Sequence, residues 1–365
     1  MQNVAIIFFI VFCLLLLLMV FTRTVTNKIR RGFPPPGKFI DIEGLRLHYV
    51  EQGAGPAIVM IHGLNGQLRH FTYALAALVA TRCKVILLDR PGAGHSSARA
   101  DGQAGLRSQA ALVAAFIAAL GLDRPLLVGH SLGGAVALAV ALDHPDAISG
   151  LALVAPLTQV QTDVPPAFKA LGIASPALRW LYSRLFLMPM AIRHRKATLA
   201  MVFGPEAAPA DFPTAAGGLL SLRPETYLAA CADLRGVADD LPALVARYGD
   251  IRMPVSVLFG RQDRILDWQR HGECLRAQVP QVRLETVDGG HMLPLTQPQT
   301  TAAFIESAVR VRGRQDPSNR YQPCRRASQA SISGKRSWRT RMRSRMRATA
   351  VSASRREPCA SCAFA

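Results

Sequence analysis

Residues 125–140 read PLLVGHSLGGAVALAV, in which a glycine-flanked serine separates a short apolar run from a longer one. The first run is typical of a buried strand and the second of a helix. Ser131 therefore lies on a predicted strand-to-helix turn, where Gly129 and Gly133 would let the two backbones approach each other closely. A serine on such a sharp turn exposes its hydroxyl at the end of a sheet, so the stretch predicts a nucleophile.

Three further segments give this serine its context. Residues 57–61 read as a buried strand and end in the glycine-rich loop HGLNG at 62–66. The strand-like run VSVLFG is followed by Asp263, and the run VRLETV is followed by a Gly-Gly-His turn that ends at His291. The order along the chain is serine, acid, histidine.

On these segments, and on the turn DRPGAGHS at 89–96, the chain resembles the α/β-hydrolase family over residues 38–311. The resemblance implies a mostly parallel central sheet with helices on both faces and hydrolytic Ser-His-Asp chemistry. The family acts on many substrates, so the resemblance leaves the cleaved bond open.

Each residue of the predicted triad has a chemical role. A serine hydroxyl is a poor nucleophile at neutral pH, so a histidine must accept its proton during attack. We assign Ser131 as the nucleophile, His291 as the base and Asp263 as the carboxylate that orients the imidazole. Two other acids stay open for the third position: Asp267 in the same loop, and Asp163 after an earlier predicted strand.

Backbone N–H groups are expected to form the oxyanion hole. They belong to Leu132, the residue after the nucleophile, and to Leu64 in the loop at 62–66. Acyl transfer by this route requires no metal and no organic cofactor. The expected partner is a small lipophilic ester or a related carbonyl compound.

Other histidines and aspartates are predicted to be structural. His62 belongs to the glycine-rich loop and His130 to the serine turn. Asp89 and Asp288 are expected to fix loops through hydrogen bonds to the backbone. The remaining histidines lack the placement of His291, and they are His48, His70, His95, His144, His194 and His271.

The pattern along the chain predicts an α/β architecture. A hairpin is expected where two alternating stretches flank Glu43 and Gly44. Continuously apolar strands then alternate with helical stretches, which favours a parallel sheet covered on both faces. The strands are predicted at 56–61, 84–89, 125–129 and 150–154, and the helices at 68–82, 104–120 and 132–143.

After residue 155, the alternation of strands and helices stops, and helical stretches with prolines follow. This change predicts a helical lid at about residues 156–250. Most of its aromatic side chains are expected to pack the lid onto the domain, and a few to line an apolar pocket. They are Phe168, Trp180, Tyr182, Phe186, Phe203, Phe212 and Tyr227. The basic side chains of the lid read as a lipid-binding face or as a solvated surface. They are Arg179, Arg184, Arg193, Arg195 and Lys196.

The N-terminus carries an apolar run of 18 residues, from Val4 to Phe21. As a helix it would span about 27 Å, close to the thickness of a bilayer core. A signal peptide is disfavoured because the run lacks a preceding positive residue and a following small-residue cleavage site. A core helix is disfavoured because the run has no polar face. Residues 1–22 are therefore predicted to be a single-pass membrane anchor.

A basic Pro/Gly linker is predicted at 23–37, with prolines at 34–36 that make it a stiff spacer. Its basic residues are Arg23, Lys28, Arg30 and Arg31. By the positive-inside tendency, these residues place the catalytic domain on the cytoplasmic side of the membrane.

The formal net charge of +19 is concentrated at the C-terminus. From Arg310 onwards there are 15 Lys/Arg against 2 Asp/Glu. The segment has too little apolar surface to offset its ordering entropy, so residues 312–365 are predicted to be a basic disordered tail. Most of the charge belongs to this tail, which leaves attraction to phosphate or lipid headgroups open, and no specific nucleic-acid partner is expected. The seven cysteines form no disulfide framework.

The favoured function is hydrolysis of carboxylic esters of lipophilic substrates through an acyl-enzyme on Ser131. The first alternative keeps the triad and cleaves a carbon–carbon bond in ring-cleavage products. A perhydrolase and a non-catalytic, membrane-tethered binding protein on the same scaffold also stay open. Epoxide hydrolases and haloalkane dehalogenases, whose turn resembles residues 89–96, are disfavoured because they use an aspartate where this chain has Ser131.

Overall fold

The computed structural model describes residues 1–99, 104–161 and 165–315, with side-chain surroundings as far as residue 311. The alternative acid Asp163 and most of the predicted tail at 312–365 lie outside the described residues. The strands are β1 (Lys38–Ile42), β2 (Leu45–Gln52), β3 (Ala57–Ile61), β4 (Lys84–Leu88), β5 (Leu126–His130), β6 (Gly150–Val154), β7 (Val255–Gly260) and β8 (Val282–Val287). They form one sheet in the order β1-β2-β4-β3-β5-β6-β7-β8.

The sheet confirms the predicted fold class. β3 to β8 pair in parallel, whereas β2 pairs antiparallel with both β1 and β4. β5 and β6 are buried along their whole length because helices cover both faces of the sheet. Their continuously apolar sequences are therefore what the parallel arrangement requires, and the predicted strands agree with the structure to within one residue at each end.

The predicted hairpin joins β1 to β2. Glu43 and Gly44 form its two-residue turn, with φ of 50° and 75°. Positive φ at both positions is typical of a turn whose twist matches antiparallel strands, and Ile42 pairs with Leu45 across it.

The helices are α1 (Gln2–Gly32), α2 (Arg69–Thr72), α3 (Leu75–Val79), α4 (Leu106–Ala119), α5 (Leu132–Asp143), α6 (Pro176–Leu185), α7 (Leu187–Phe203), α8 (Pro224–Val245), α9 (Cys274–Gln278), α10 (Leu293–Thr296) and α11 (Pro298–Gln315). The predicted helix at 68–82 is two short helices, α2 and α3, because the backbone leaves helical geometry at Ala74, with φ of −149°. α11 continues to Gln315, a few residues into the predicted tail.

The stretch between β6 and β7, residues 155–254, is called the inserted segment below. Its main helices are α6, α7 and α8, in agreement with the predicted helical character. Arg179 was predicted to belong to an exposed basic surface, but its side chain is buried. It is 8% exposed and donates to the carbonyl oxygens of Ile173 and Ala174 at 2.9 and 2.7 Å, because these carbonyls end the preceding turn and face its guanidinium.

α1 is longer than the apolar run that predicts it. The helix continues through residues 23–32, which the sequence assigns to the linker, and only residues 33–37 separate it from β1. The extension has a packing cause, since Thr22, Thr26 and Ile29 are buried against the rest of the chain. Its N-terminal part has the length and composition of a membrane anchor or a signal sequence.

Candidate active site

Ser131 occupies the turn between β5 and α5 in a backbone conformation that non-glycine residues rarely adopt, with φ of 54° and ψ of −120°. Such a conformation costs about 1–3 kcal/mol and persists where the surroundings fix it. Here the Ser131 N–H donates to the carbonyl of Val154 at 3.1 Å, and the Ser131 carbonyl accepts from the N–H groups of Gly134 and Leu157 at 2.9 and 3.0 Å. The turn is thus held by the end of β6 and by the chain that follows it.

The glycines beside Ser131 are required by close backbone approach. A Cβ on Gly129 would collide with the carbonyl oxygen of Gly133, and a Cβ on Gly133 would collide with the carbonyl oxygen of Ile61. These contacts agree with the packing predicted for the two glycines, because the start of α5 lies directly on the ends of β3 and β5.

Asp263 and His291 meet after the ends of β7 and β8. Nδ1 of His291 lies 2.7 Å from Oδ2 of Asp263, and the two side chains are 6% and 0% exposed. The other carboxylate oxygen accepts from the N–H groups of Ile265 and Leu266 at 2.8 and 3.0 Å. Burial raises the pKa of Asp263, but attraction to His291 and these hydrogen bonds outweigh it, so the pKa lies below its usual range. The carboxylate is therefore ionised at neutral pH.

His130 connects this pair to the serine turn. Its Nε2 donates to the carbonyl of His291 at 3.0 Å, and the two rings lie 5.0 Å apart. Burial lowers the pKa of His130 to about 3, so the ring is neutral. On the other side of the turn, a Cβ on Gly63 would lie 3.3 Å from Oγ of Ser131. The serine turn, the loop after β3 and the Asp263–His291 pair are thus gathered at one edge of the sheet.

The alternative acid Asp267 and the expected structural acid Asp288 both have other partners. Asp267 accepts from the N–H of Arg270 at 2.7 Å and begins a helical turn. Asp288 is 81% exposed and pairs with Arg261 at 2.9 Å, so it fixes a side chain instead of the predicted backbone.

Asp89 is buried and fixes loops, as predicted from the sequence. Its carboxylate accepts from the N–H groups of Leu68 and His95 at 2.8 and 3.0 Å, and lies 2.7 Å from Nδ1 of His48.

A buried arginine that the sequence did not single out holds the loop after β3. Arg90 is 2% exposed and donates to the carbonyls of His62 and Gly63 at 3.1 and 2.9 Å. It also donates to Asp233 on α8 and to Gln109 on α4, each at 2.8 Å. Arg90 belongs to the turn at 89–96, but its partner Asp233 lies 143 residues away, so no local pattern could indicate the pair.

The inserted segment contacts the same loop. Ser221 donates to the carbonyl of Asn65 at 2.7 Å, and the side-chain amide of Gln67 donates to the carbonyl of Ala216 at 2.7 Å. Leu64 packs against the apolar cluster that contains Leu171 and Tyr227. The loop that carries the predicted oxyanion donor Leu64 is therefore held by Arg90 from one side and by the inserted segment from the other. The roles of Leu64 and Leu132 as donors stay predictions.

His62 is neutral and has a defined tautomer. Its Nδ1 donates to the carbonyl of Gly63 at 2.9 Å, and its Nε2 accepts from the N–H of Arg90 at 3.0 Å. Burial, and then the positive charge of Arg90, lower the pKa of His62 to about 3. A proton on Nε2 would break the second hydrogen bond, so the geometry and the pKa agree.

Buried neutral histidines predict an acid-sensitive fold. The pKa values of His62 and His130 are lowered to about 3, and that of His271 to about 4, from 6.5. Between pH 6.5 and these values the unfolded chain binds more protons than the folded chain, so the free energy of unfolding should fall as pH falls through this window. Denaturant unfolding in detergent at pH 8, 6, 5 and 4 measures this slope.

Two matched variants test whether the buried histidine rings cause this pH dependence of the free energy of unfolding. His271→Asn keeps an acceptor for the N–H groups of Thr158 and Gln159 that now bond to Nδ1, and it should make the slope shallower. His194→Gln, on the exposed face of α7, should leave the slope unchanged. Equal stability at pH 8 and pH 5 would contradict the prediction.

The Arg90–Asp233 pair predicts a large loss of stability when it is broken. Asp233→Leu leaves the Arg90 guanidinium buried without its carboxylate, which should lower the free energy of unfolding by about 3–5 kcal/mol. Removing both charges with Arg90→Met and Asp233→Leu should cost less than the sum of the single changes. Chemical denaturation measures all three variants.

The surface pair of Arg82 and Glu306, whose side chains are 57% and 19% exposed, is the control for this prediction, since Glu306→Gln should cost no more than about 1 kcal/mol. A loss of similar size at both pairs would show that burial does not govern the cost.

Comparison with known proteins places this geometry in a family. A family model described as alpha/beta hydrolase fold matches residues 56–298. An uncharacterized protein of Mycobacterium tuberculosis is 29% identical over 309 residues, which cover 82% of this chain and 88% of that protein. The 2-hydroxy-6-oxo-6-phenylhexa-2,4-dienoate hydrolase of Comamonas testosteroni is 35% identical over 120 residues, and the match covers 32% of this chain and only 42% of that enzyme.

A solved structure agrees on the fold. The crystal structure of a membrane phospholipase A, described as a bacterial virulence factor, superimposes with a TM-score of 0.63 at 23% identity and covers 85% of this chain and 96% of that one. The family match spans most of the sheet and the serine turn, and the sheet has the strand order reported above. The chain therefore belongs to the α/β-hydrolase fold family and is a hydrolase.

Proposed function

We propose that this hydrolase cleaves carboxylic esters of lipophilic substrates through an acyl-enzyme on Ser131. The observation that carries the proposal is the 2.7 Å contact between buried Asp263 and His291, beside a serine held on a strained strand-to-helix turn. A carboxylate that fixes Nδ1 of the imidazole leaves Nε2 free to act as a base.

In the first half-reaction, Oγ of Ser131 attacks the carbonyl carbon of the ester while Nε2 of His291 takes the hydroxyl proton. The N–H groups of Leu132 and Leu64 stabilise the negative charge on the carbonyl oxygen. The tetrahedral intermediate then loses its alkoxide as the C–O bond breaks, and His291 returns the proton to that oxygen. An alcohol leaves, and the acyl group stays on Ser131.

In the second half-reaction, His291 takes a proton from water as the water oxygen attacks the acyl carbon. The bond to Oγ breaks, Ser131 recovers its proton from His291, and the carboxylic acid leaves. In this proposal, Arg90 acts as a positioning residue because it holds the carbonyls of His62 and Gly63, the two residues before the donor Leu64.

Apolar surroundings favour a lipophilic substrate. Leu132 is 3% exposed, and half-buried Leu64 lies in a cluster with Phe168, Leu171 and Tyr227 of the inserted segment. Side chains of this kind next to an oxyanion site favour an acyl chain or a ring over a charged group.

Aryl esters of increasing acyl length test the proposal. With the full chain in detergent, kcat/KM should rise from acetate to medium-chain esters, and a fluorophosphonate should label one peptide, the one that contains Ser131. The absence of both turnover and labelling would overturn the proposal and favour a non-catalytic binding protein.

A carbon–carbon bond hydrolase is the second candidate. It is favoured by the partial match to the Comamonas testosteroni dienoate hydrolase, which covers 120 residues. Turnover of a dienoate ring-cleavage product, together with no turnover of esters, would replace the ester proposal with this one.

We further infer that α1 anchors the protein in a membrane, with the domain on the cytoplasmic side. The apolar side chains of its N-terminal part are exposed, Phe8 at 71% and Leu17 at 64% for example, as expected for a segment surrounded by lipid. Retention in membranes after alkaline extraction, with an intact N-terminus by mass spectrometry, would support the anchor. Cleavage after the apolar run would show a signal sequence instead.

A further inference from the structure

After α1, most of the large exposed apolar side chains of the described residues come from one short stretch of the sequence. Among the described residues beyond α1, the large apolar side chains that are exposed are Val160, Leu178, Trp180, Leu181, Phe186 and Ile192. All but Val160 lie within the fifteen residues 178–192, on α6, at Phe186 between the two helices, and on the start of α7. Scattered exposed apolar residues need no explanation, but a cluster of this kind indicates a contact surface.

The same helices carry positive charge without acidic neighbours in sequence. Residues 164–205 contain six Lys/Arg and no Asp/Glu. Arg193, Arg195 and Lys196 are exposed and follow directly after Ile192. We call the exposed side chains of residues 178–196 the α6–α7 surface. Its mixture of aromatic, aliphatic and basic side chains complements an anionic lipid surface.

The α6–α7 surface lies next to the end of the proposed membrane span. Ile29 of α1 packs in one apolar cluster with Met188 of α7 and with Leu220. Arg30 of α1 pairs with Glu225 at the start of α8 at 3.1 Å. The helix that leaves the proposed bilayer is therefore fixed to the inserted segment beside this surface.

We propose that the α6–α7 surface rests on an anionic lipid bilayer, beside the point where α1 enters it, so that the inserted segment sits at the membrane surface. The proposal rests on the membrane anchoring inferred above. Trp180 and Phe186 lie at the level of the headgroups, where aromatic rings are favoured, and Arg193, Arg195 and Lys196 contact lipid phosphates. The inserted segment then takes lipophilic substrate from the lipid phase.

Tryptophan fluorescence tests the contact. The chain has three tryptophans, and Trp268→Phe with Trp338→Phe leaves only Trp180. In vesicles of phosphatidylcholine and phosphatidylglycerol, the emission of Trp180 should shift to the blue, and phosphatidylcholine brominated in its acyl chains should quench it. Trp180→Phe in the otherwise natural chain should remove the quenched component, which checks the result in a protein that keeps its other tryptophans.

Charge variants test the choice of lipid. Quenching of Trp180 should strengthen as the phosphatidylglycerol fraction rises, and Arg193→Gln, Arg195→Gln and Lys196→Gln together should abolish this dependence. A matched triple variant removes three exposed arginines outside the surface and should keep the dependence. These are Arg276→Gln, Arg283→Gln and Arg310→Gln.

The outcomes separate this proposal from the proposed ester hydrolysis, because the fluorescence of Trp180 does not depend on catalysis. If the chain stays in the vesicles but brominated lipid does not quench Trp180 and aqueous acrylamide does, the α6–α7 surface faces water and the proposal is wrong. If Trp180 is shielded from both quenchers and cross-links join two copies through α6, the occupant is a second copy and the proposal is also wrong. Loss of the chain from the vesicles overturns the anchor and this proposal together.

Discussion

Replacing Ser131 with alanine is expected to lower kcat for aryl esters by roughly 10⁶-fold, the scale of loss when the nucleophile of a serine hydrolase is removed. In the proposed mechanism, the substitution deletes the oxygen that would form the acyl-enzyme, but it leaves the proposed donors Leu132 and Leu64 and the Asp263–His291 pair in place. Substrate binding should therefore persist, and only turnover and fluorophosphonate labelling should disappear. Steady-state kinetics and mass spectrometry of the labelled chain measure the two effects.

Ser149→Ala is the matched control for this prediction. Ser149 is buried, and its Oγ has no hydrogen-bond partner within the part of the chain that the structure describes. Its loss should therefore leave both turnover and labelling close to those of the natural chain. Labelling that persists in Ser131→Ala would remove Ser131 from the mechanism and shift the search to another nucleophile.

The central sheet was predictable because its strands obey a local rule. β4, β5 and β6 are buried on both faces, so almost every residue in them is apolar and each run ends where a loop begins. A local pattern was not sufficient for the helical stretch at 68–82. Its apolar residues repeat as in one helix, but the backbone turns at Ala74 and divides it into α2 and α3.

The sequence places Ser131, Asp263 and His291 each after the end of a recognisable strand. The contact between Asp263 and His291 was predictable because the ends of parallel strands meet at one edge of the sheet. The contacts that support the loop at 62–66 could not be predicted from the sequence. Arg90 and Asp233 come from a turn and from a helix of the inserted segment, and only tertiary packing brings them together. Ser221, which holds the carbonyl of Asn65, is likewise 156 residues from its partner.

The extent of α1 was also set by tertiary packing. Hydropathy marks only the apolar run that ends at Phe21, because the following residues are polar or basic. Helical structure continues through them since Thr22, Thr26 and Ile29 are buried by other parts of the chain. A span inferred from hydropathy alone therefore misses the helical segment that fixes the N-terminus to the inserted segment.

Replacing Asp263 with asparagine is expected to lower kcat by roughly 10⁴-fold with little change in KM. Asparagine has the same size, and its oxygen can still accept from the N–H groups of Ile265 and Leu266. Its amide nitrogen, however, would donate to Nδ1 of His291 where the carboxylate now accepts. The imidazole would then carry its proton on Nε2 and could not take the proton of Ser131.

Asp267→Asn separates this explanation from the alternative acid in the same loop. Asp267 accepts from the N–H of Arg270, a bond that asparagine can also make, so this variant should keep nearly natural kcat. Kinetics with one aryl ester compare the two variants directly, and fluorophosphonate labelling of Ser131 should slow in Asp263→Asn alone. A larger loss in Asp267→Asn than in Asp263→Asn would mean that the carboxylate 2.7 Å from His291 is not the acid of the reaction.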